Sequence, residues 1–313
     1  MAATAHACGK VILLGEHAVV YGVPALAVGI DRGARARASA LDEGPSRLVI
    51  GGWNVSVRPD DSHDLARAVR ALLDASSSTR PLTVDVEADL PPGGGLGCSA
   101  AIGVAIARVI EPHASAEAVQ ALAMAWERVF HGNPSGVDAA VAARGGCVLY
   151  RKGEALDTVR VRGPLQLCIG NSGLASSTKA MVDGLARLRE RKHDLVERSF
   201  EAIRTLVSNA RLAVEAGDRS TLGRLMDLNQ MLLGGLFLST PEIEHMCGLA
   251  REAGALGAKL TGAGGGGCTV ALVPSRSTAD AVLSAWRREG FDGFATNVAA
   301  DVMAVPHESG AAP

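Results

Sequence analysis

The chain has 313 residues, of which 48% are hydrophobic and 20% are charged. A chain of this length exceeds what one hydrophobic core usually serves, so it predicts a globular protein of two domains. Lys and Arg together number 31 and Asp and Glu 33, which gives a formal net charge of -2. Because no excess of positive charge is available to hold a phosphate backbone, nucleic acid is excluded as an expected partner.

A membrane is not an expected partner either. The longest uncharged apolar run near the start, residues 18–30, contains Gly22 and Pro24 and is shorter than the ~20 residues that a membrane helix needs. The first residues also lack a secretory pattern, because a short apolar run is followed at once by Glu16 and His17. The six cysteines are scattered, with neither metal-ligand spacing nor a dense disulfide framework. We therefore expect a cytoplasmic protein with reduced thiols.

In the first half of the chain, short β-branched runs alternate with alanine-rich stretches. They predict strands at 10–14, 48–57 and 82–86 and a helix at 64–73. Arg32, Arg35 and Arg37 alternate with small residues, a pattern typical of the solvated face of a strand.

The second half begins near Leu165 with a further strand. Two long amphipathic helices are predicted after it, at about 178–191 and 195–216. We place the domain boundary near Gly163, which divides the chain into domains 1–163 and 164–313.

A glycine-rich loop follows the strand predicted at 82–86 and leads into an apolar helix that ends near Ile110. The residues expected to bind phosphate are Gly93, Gly94, Gly95, Leu96, Gly97, Cys98 and Ser99. Glycines let the backbone approach an anion closely, and the N–H groups and dipole of a helix N-terminus favour negative charge. A tight strand-to-helix turn is the simpler interpretation, but four glycines before a serine are costly to order and favour a ligand. The loop has neither the Walker A sequence nor the G-x-G-x-x-G spacing, which disfavours P-loop and Rossmann folds.

Two further segments complete a pattern with this loop. Residues 9–17 read GKVILLGEH, and residues 259–268 read KLTGAGGGGC before a strand predicted at 269–273. Together the three segments resemble the motifs of the GHMP kinases, over nearly the whole chain. The strings GEHAVVYG at 15–22 and HGNPSGVD at 131–138 are similar to those of the mevalonate kinases in particular.

The resemblance implies an α+β, two-domain GHMP kinase fold with the active site in the cleft between the domains. It implies ATP and mevalonate as substrates and Mg²⁺ as cofactor, with transfer of the ATP γ-phosphoryl group to the 5-hydroxyl of mevalonate. The products would be 5-phosphomevalonate and ADP. Whether the chain forms a homodimer is left open.

Roles for individual residues are also implied by the resemblance. It implies catalytic roles for Lys10 and Asp138 and binding of the ATP phosphates by the glycine-rich loop. It also implies that Ser99 and Glu127 contact Mg²⁺ and that Glu16, His17 and Thr178 contact the substrate.

Most of these residues also have a simpler local interpretation. Lys10 opens an apolar run, where a lysine usually stays in water, and His17 fits a polar loop. Asp138 precedes a short alanine-rich helix that it could cap. By local pattern alone the simpler interpretation leads for Lys10 and Asp138, and the motifs reverse that preference.

The same holds for the proposed metal and substrate ligands. Ser99 and Thr178 could each be a helix N-cap. Glu127 lies beside the apolar helix face of Val119, Leu122, Trp126 and Val129, where an isolated glutamate is usually solvated. Metal contact by Glu127 is implied by the resemblance alone.

The chain departs from the commonest family pattern at two positions. Cys98 stands where many relatives carry the first serine of a Ser-Ser pair, which matters little if the backbone N–H binds phosphate. Ser176 stands where mevalonate kinases of the animal type carry an arginine, two residues before the Thr178 position. A bidentate partner for a carboxylate or phosphate is thereby missing, so the residue that holds the acid end of the substrate is left open.

Overall fold

A computed structural model describes residues 3–78, 80–91, 93–131 and 134–298. Gly132 and Asn133 of the HGNPSGVD string, and Pro92 of the glycine-rich loop, lie outside the described residues. Within these ranges no helix combines the length and the apolar character needed to cross a membrane.

The first of two sheets is formed by the N-terminal half of the chain. Its strands among the described residues are β1 (Ala3–Leu14), β2 (Ala25–Ala40), β3 (Arg47–Ile50), β4 (Val55–Val57), β5 (Leu82–Ala88), β6 (Cys147–Tyr150) and β7 (Asp157–Val159). They lie in the order β4-β3-β5-β2-β6-β7, and β1 pairs antiparallel with the long strand β2. The predictions at 10–14 and 82–86 are confirmed. Arg35 and Arg37 lie on the exposed face of β2 as expected, whereas Arg32 is half-buried and stacks on Phe294.

The prediction of one strand at 48–57 is wrong. The segment is a hairpin, in which a single 3₁₀ turn, Gly51–Trp53, separates β3 from β4. Asn54 closes the turn with φ of 52°, a left-handed conformation that asparagine tolerates better than most residues. The β-branched run was correctly identified as extended, but the glycine pair inside it reverses the chain.

Four helices belong to the N-terminal half within the described residues. They are α1 (Asp64–Ala75), α2 (Cys98–Ile110), α3 (Ala116–His131) and α4 (Val137–Arg144). α2 and α4 pack on β1 and β2, and α3 packs on the other three helices. The predicted helix at 64–73 and the apolar helix after the glycine-rich loop are therefore confirmed. α2 is buried along nearly its whole length because it packs on β1, β2 and α3, so the end of the loop is anchored in the core.

The second sheet is built from the C-terminal half. Its strands are β8 (Gln166–Asn171), β9 (Gly257–Thr261), β10 (Cys268–Val273) and β11 (Asp292–Asn297), in the antiparallel order β11-β8-β10-β9. Its helices are α5 (Thr178–Arg191), α6 (His193–Ala216), α7 (Arg219–Gly235), α8 (Pro241–Glu252) and α9 (Arg276–Arg288). The two predicted amphipathic helices and the strand at 269–273 are confirmed. Residues 160–165 separate the sheets in sequence, and the boundary near Gly163 remains our proposed one.

The two halves are joined at two places along β1 and β2. Near the site, the backbone N–H of Ile12 donates to Thr261 Oγ1 at 3.1 Å, which places β1 against β9. Within β2, Asp31 accepts hydrogen bonds from the side chains of Thr296 and Asn297 on β11. These contacts fix the glycine-rich segments of the two halves opposite each other.

Candidate active site

Lys10 and Asp138 form an ion pair at the centre of the candidate site. Lys10 Nζ lies 3.0 Å from Asp138 Oδ1 and also donates to the carbonyl of Gly95 at 3.0 Å. The lysine is 3% exposed, because its stem runs beneath the glycine-rich loop. The simpler interpretation of Lys10 as a strand-end lysine kept in water is therefore wrong.

Asp138 lies in the first turn of α4, but its side chain does not cap the helix. The N-cap position is Gly136, which has no side chain to accept a hydrogen bond. The Asp138 carboxylate instead points to Lys10 and is one third exposed. Below it, the Tyr150 hydroxyl donates to the carbonyl of Ser135 and holds the start of α4.

The glycine-rich loop is shaped by three residues in the left-handed region. Gly93, Gly95 and Gly97 have φ of 72°, 73° and 71°, and Gly97 is the N-cap of α2. The loop is tied to β1 because the N–H of Lys10 donates to the carbonyl of Leu96 at 2.9 Å. The start of α2 and the Lys10 ammonium are thus held together, as an anion site requires.

The Cys98 thiol, at the first position of α2, is buried and donates to the carbonyl of Leu90 at 3.7 Å. Burial raises the pKa of Cys98 to about 11. An uncharged thiol turned into the core contributes no side-chain contact to a phosphate, so any binding at this position falls to the backbone.

Ser99 and Glu127 meet in a buried pocket beside the loop. Ser99 Oγ donates to Glu127 Oε1 at 2.5 Å, and the indole Nε1 of Trp126 donates to Ser99 Oγ at 3.1 Å. The interpretation of Ser99 as an N-cap is wrong, because Gly97 takes that position. The interpretation of Glu127 as a solvated residue is also wrong, since it is 4% exposed.

The electrostatics of Glu127 fit a divalent cation. Burial, reinforced by the nearby Asp138 carboxylate and opposed by the Ser99 hydrogen bond and by Lys10, raises the pKa of Glu127 to about 7. Its ion pair within the described residues is a long one, with His131 Nε2 at 3.7 Å. A buried carboxylate beside a hydroxyl oxygen is a donor set that Mg²⁺ prefers.

Glu16 and His17 are both buried at the junction of the halves, and neither is a polar loop residue in water. The Glu16 carboxylate forms a fully buried ion pair with Lys259 of β9 and accepts from Asn229 Nδ2 of α7 at 3.3 Å. His17 Nε2 donates to the carbonyl of Ala263 at 2.7 Å. Burial lowers the pKa of His17, and the nearby Lys259 lowers it further, although the hydrogen bond to Ala263 acts in the opposite direction. The ring is therefore neutral at neutral pH.

The second glycine cluster, residues 262–267, packs against this junction. The N–H groups of Gly265 and Gly267 donate to the carbonyls of Leu238 and Leu174. Ser176 Oγ donates to the carbonyl of Gly264 and so helps to hold the loop. Backbone groups of the second glycine cluster therefore form hydrogen bonds within the protein, unlike those of a flexible turn.

Thr178 lies two residues further on, at the first position of α5, and is exposed. The N-cap is Ser177, whose Oγ accepts from the Ala180 N–H at 3.3 Å. The interpretation of Thr178 as a cap is therefore wrong.

Two family models match the chain: the GHMP kinases N terminal domain at residues 64–146 and the GHMP kinases C terminal model at residues 210–292. A mevalonate kinase of Thermococcus sibiricus is 34% identical over 89% of this chain and 91% of its own length. A mevalonate kinase of Aeropyrum pernix is 37% identical, over 87% and 88%. The chain belongs to the mevalonate kinases of the GHMP kinase family.

Solved structures of the family share the architecture. The L. major mevalonate kinase in complex with R-mevalonate superposes with a TM-score of 0.82, at 28% identity over 95% of each chain. The Methanococcus jannaschii mevalonate kinase has the same fold, with a TM-score of 0.82 at 22% identity over 96% of this chain and 98% of its own. The predicted α+β GHMP kinase fold is confirmed.

The structure connects the sequence-predicted residues in two groups. The first group lies at the glycine-rich loop and consists of Lys10, Asp138, Gly95, Ser99 and Glu127. The second group lies at the second glycine cluster and consists of Glu16 and His17. Thr178 has no described contact that joins it to either group.

Sequence reasoning missed four residues that support these groups. They are Trp126, Tyr150, Asn229 and Lys259. Lys259 gave one signal, because it is a charged residue inside a short β-strand whose other residues are uncharged. The other three resemble ordinary core residues in the sequence.

Proposed function

We propose that this chain transfers the γ-phosphoryl group of ATP to the 5-hydroxyl of mevalonate, giving 5-phosphomevalonate and ADP. The observation that carries the proposal is the Lys10–Asp138 ion pair beside Gly95, where a cation, a carboxylate and a glycine-rich loop converge. A phosphoryl group bound by the loop would lie next to the ammonium, and an acceptor hydroxyl would lie next to the carboxylate.

The chemistry limits how the carboxylate can act. A free carboxylic side chain titrates near ~3.9 and a hydroxyl like that of water near ~15.7, so full deprotonation before attack would cost roughly 16 kcal/mol. A loose, metaphosphate-like transition state needs only a weak nucleophile. We therefore assign Asp138 to orienting the hydroxyl and accepting its proton late, and Lys10 to stabilising charge on the transferred group.

Ser99 and Glu127 are the residues that we propose to hold Mg²⁺. When bound, the ion would neutralise negative charge on the phosphates. Two protein oxygens match the usual magnesium site, in which water and phosphate oxygens complete an octahedron. The short contact between Ser99 Oγ and Glu127 Oε1 supports this pairing.

For the substrate, we propose direct contacts from His17 and Thr178. Glu16 was predicted to contact substrate as well, but its side chain has no exposed surface. We propose that it acts indirectly, by holding the residue-15–17 turn against β9. Because the Nε2–H of His17 already donates to the Ala263 carbonyl, the neutral ring can accept a hydrogen bond at Nδ1 without adding charge.

The proposed location is the cytoplasm, where ATP is available to a kinase. The cysteines are buried, and burial raises the pKa of Cys8 to about 11 and that of Cys268 to about 12. Thiols in this state behave as small apolar side chains. Their packing supports a protein that keeps them reduced.

The test is an ADP-release assay with ATP, Mg²⁺ and each of four acceptors: mevalonate, phosphomevalonate, homoserine and galactose. We expect mevalonate to give the highest kcat/KM. A higher kcat/KM for any other member of the panel would overturn the assignment, and a chain that released no ADP with any acceptor would not be a kinase.

A further inference from the structure

Trp126 touches the candidate metal site without belonging to any of the three motifs. Its indole Nε1 donates to Ser99 Oγ at 3.1 Å, and it directly precedes Glu127 on α3. The residue is 1% exposed. A hydrogen-bond donor of this size is therefore aimed at one of the two oxygens that we propose to bind Mg²⁺.

The hydrogen bonds of Ser99 leave room for a cation. A serine hydroxyl has one proton and two lone pairs. The proton is directed to Glu127 Oε1 at 2.5 Å, and one lone pair accepts from Trp126. The Trp126 bond fixes the orientation of the Ser99 oxygen, and its second lone pair remains for a metal ion.

The indole itself is held in place by the core. An added Cβ at Gly103, one turn after Ser99 on α2, would lie 2.8 Å from the indole Cδ1. The Phe130 ring also packs against the indole, with ring centroids 5.4 Å apart. Because α2 and α3 are in contact at Gly103, the distance from Trp126 to Ser99 is set by helix packing rather than by a flexible side chain.

We propose that Trp126 is a positioning residue for magnesium: its indole N–H orients the Ser99 hydroxyl toward the ion that Ser99 and Glu127 share. The inference rests on the magnesium site proposed above. Hydrogen bonds from a second layer of residues commonly change metal affinity by about 10- to 100-fold.

Trp286 provides a matched control. It is also fully buried, and its indole Nε1 donates to an oxygen at 2.9 Å, but that oxygen is the Met246 carbonyl in the C-terminal half. Trp126→Phe and Trp286→Phe therefore each remove one buried indole N–H bond, and one of the two bonds is at the proposed metal site.

The experiment measures how much Mg²⁺ strengthens the binding of a non-hydrolysable ATP analogue, by calorimetry with Mg²⁺ or with EDTA. In Trp126→Phe we expect the strengthening to fall by about 10-fold while the affinity in EDTA is unchanged. Trp286→Phe should keep the wild-type strengthening. In a Ser99→Ala background, Trp126→Phe should have no further effect, because it acts through that hydroxyl.

The outcomes separate the two proposals. Suppose that Mg²⁺ strengthens analogue binding in Trp126→Phe as much as in the wild type, but less in Glu127→Gln. That result would overturn the role of Trp126 and leave the metal site standing. If Mg²⁺ also strengthens analogue binding in Glu127→Gln and in Ser99→Ala as much as in the wild type, both the role of Trp126 and the metal site would be overturned. An equal loss in Trp286→Phe would mean a general effect of the lost core bond and would overturn the positioning role.

A second measurement covers the case in which Trp126→Phe does not fold. The chain has three tryptophans, so replacing Trp53 and Trp286 by Phe leaves Trp126 as the single emitter. Adding Mg²⁺ to this protein with the ATP analogue bound should shift or quench its emission, because the partner of the indole N–H becomes a metal ligand. Unchanged emission would overturn the inference.

Discussion

Asp138 contacts the Lys10 ammonium but caps no helix, so its carboxylate is available for the acceptor hydroxyl. Asp138→Asn keeps the shape of the side chain and removes its capacity to take a proton. We expect kcat to fall by on the order of 100-fold or more, with ATP affinity nearly unchanged. Steady-state kinetics and calorimetry of ATP binding would measure both. A wild-type kcat would contradict the assigned role.

Glu127 is the one carboxylate in the proposed magnesium site. Glu127→Gln preserves the shape and the hydrogen bond to Ser99 but removes the charge, so the Mg²⁺ concentration for half-maximal activity should rise by about 10-fold or more. Glu117→Gln is the control, because Glu117 lies on the same helix but its side chain is 67% exposed. Equal Mg²⁺ requirements in the two variants would rule out Glu127 as a ligand.

His17 predicts a pH dependence of stability. Because burial lowers its pKa from the ordinary value of 6.5, the unfolded chain binds more protons than the native one below that pH. The contribution of His17 to stability is therefore complete above pH 6.5 and is lost as the pH falls toward the lowered pKa.

The test is the replacement His17→Gln, which removes the titrating group and leaves an amide that can still donate to Ala263. The free energy of unfolding in urea, measured at pH 5.5 and 7.5, should fall less on acidification than in the wild type. Other titrating groups are common to both proteins and cancel in the comparison. The same acid loss in both proteins would show that His17 is not the responsible group.

At the scale of elements, the two glycine-rich loops touch. An added Cβ at Gly95 would lie 3.1 Å from the Thr261 carbonyl and 3.2 Å from Gly262 Cα. The loop of the N-terminal half is therefore pressed against the end of β9, and the anion site is shaped by both halves.

Gly95→Ala and Gly93→Ala make a matched pair that isolates this contact. Both positions have nearly the same positive φ, which costs roughly 1–2 kcal/mol for alanine, but an added Cβ at Gly93 meets nothing within 4 Å. We expect Gly95→Ala to raise the KM for ATP about 10-fold above that of Gly93→Ala, as the loop moves away from Lys10. Equal KM values would indicate that backbone strain alone matters.

At the scale of the whole molecule, the buried pair of Glu16 and Lys259 joins the two halves. Lys259→Met leaves a buried carboxylate without its cation and should cost about 3 to 5 kcal/mol of unfolding free energy. The double variant Glu16→Gln with Lys259→Met removes both charges and should recover most of that loss. Urea denaturation would measure both, and a double variant no more stable than Lys259→Met would contradict the pairing.

Sequence pattern alone determined much of this protein. Hydrophobic periodicity predicted the amphipathic helices α1, α5 and α6, because one face of each is buried and the other is wet whatever the partner. The motifs identified the family and its fold, and they marked Lys10 and Asp138. Periodicity failed at 48–57, where a glycine pair turns an extended run into a hairpin.

Only the tertiary structure decided which residues meet. Local pattern favoured water or a cap for Lys10, Asp138 and Glu127, since a charged residue has no local reason to be buried. Packing buries Lys10 and Glu127 and points Asp138 to Lys10, across 128 positions of sequence. The sequence did not show the roles of Trp126 and Lys259. A core tryptophan and a strand lysine gain their roles from partners on other elements, Ser99 and Glu16 respectively. The sequence states which chemical groups are present, and long-range packing sets the distances between them. Charge interactions and hydrogen bonds depend on those distances.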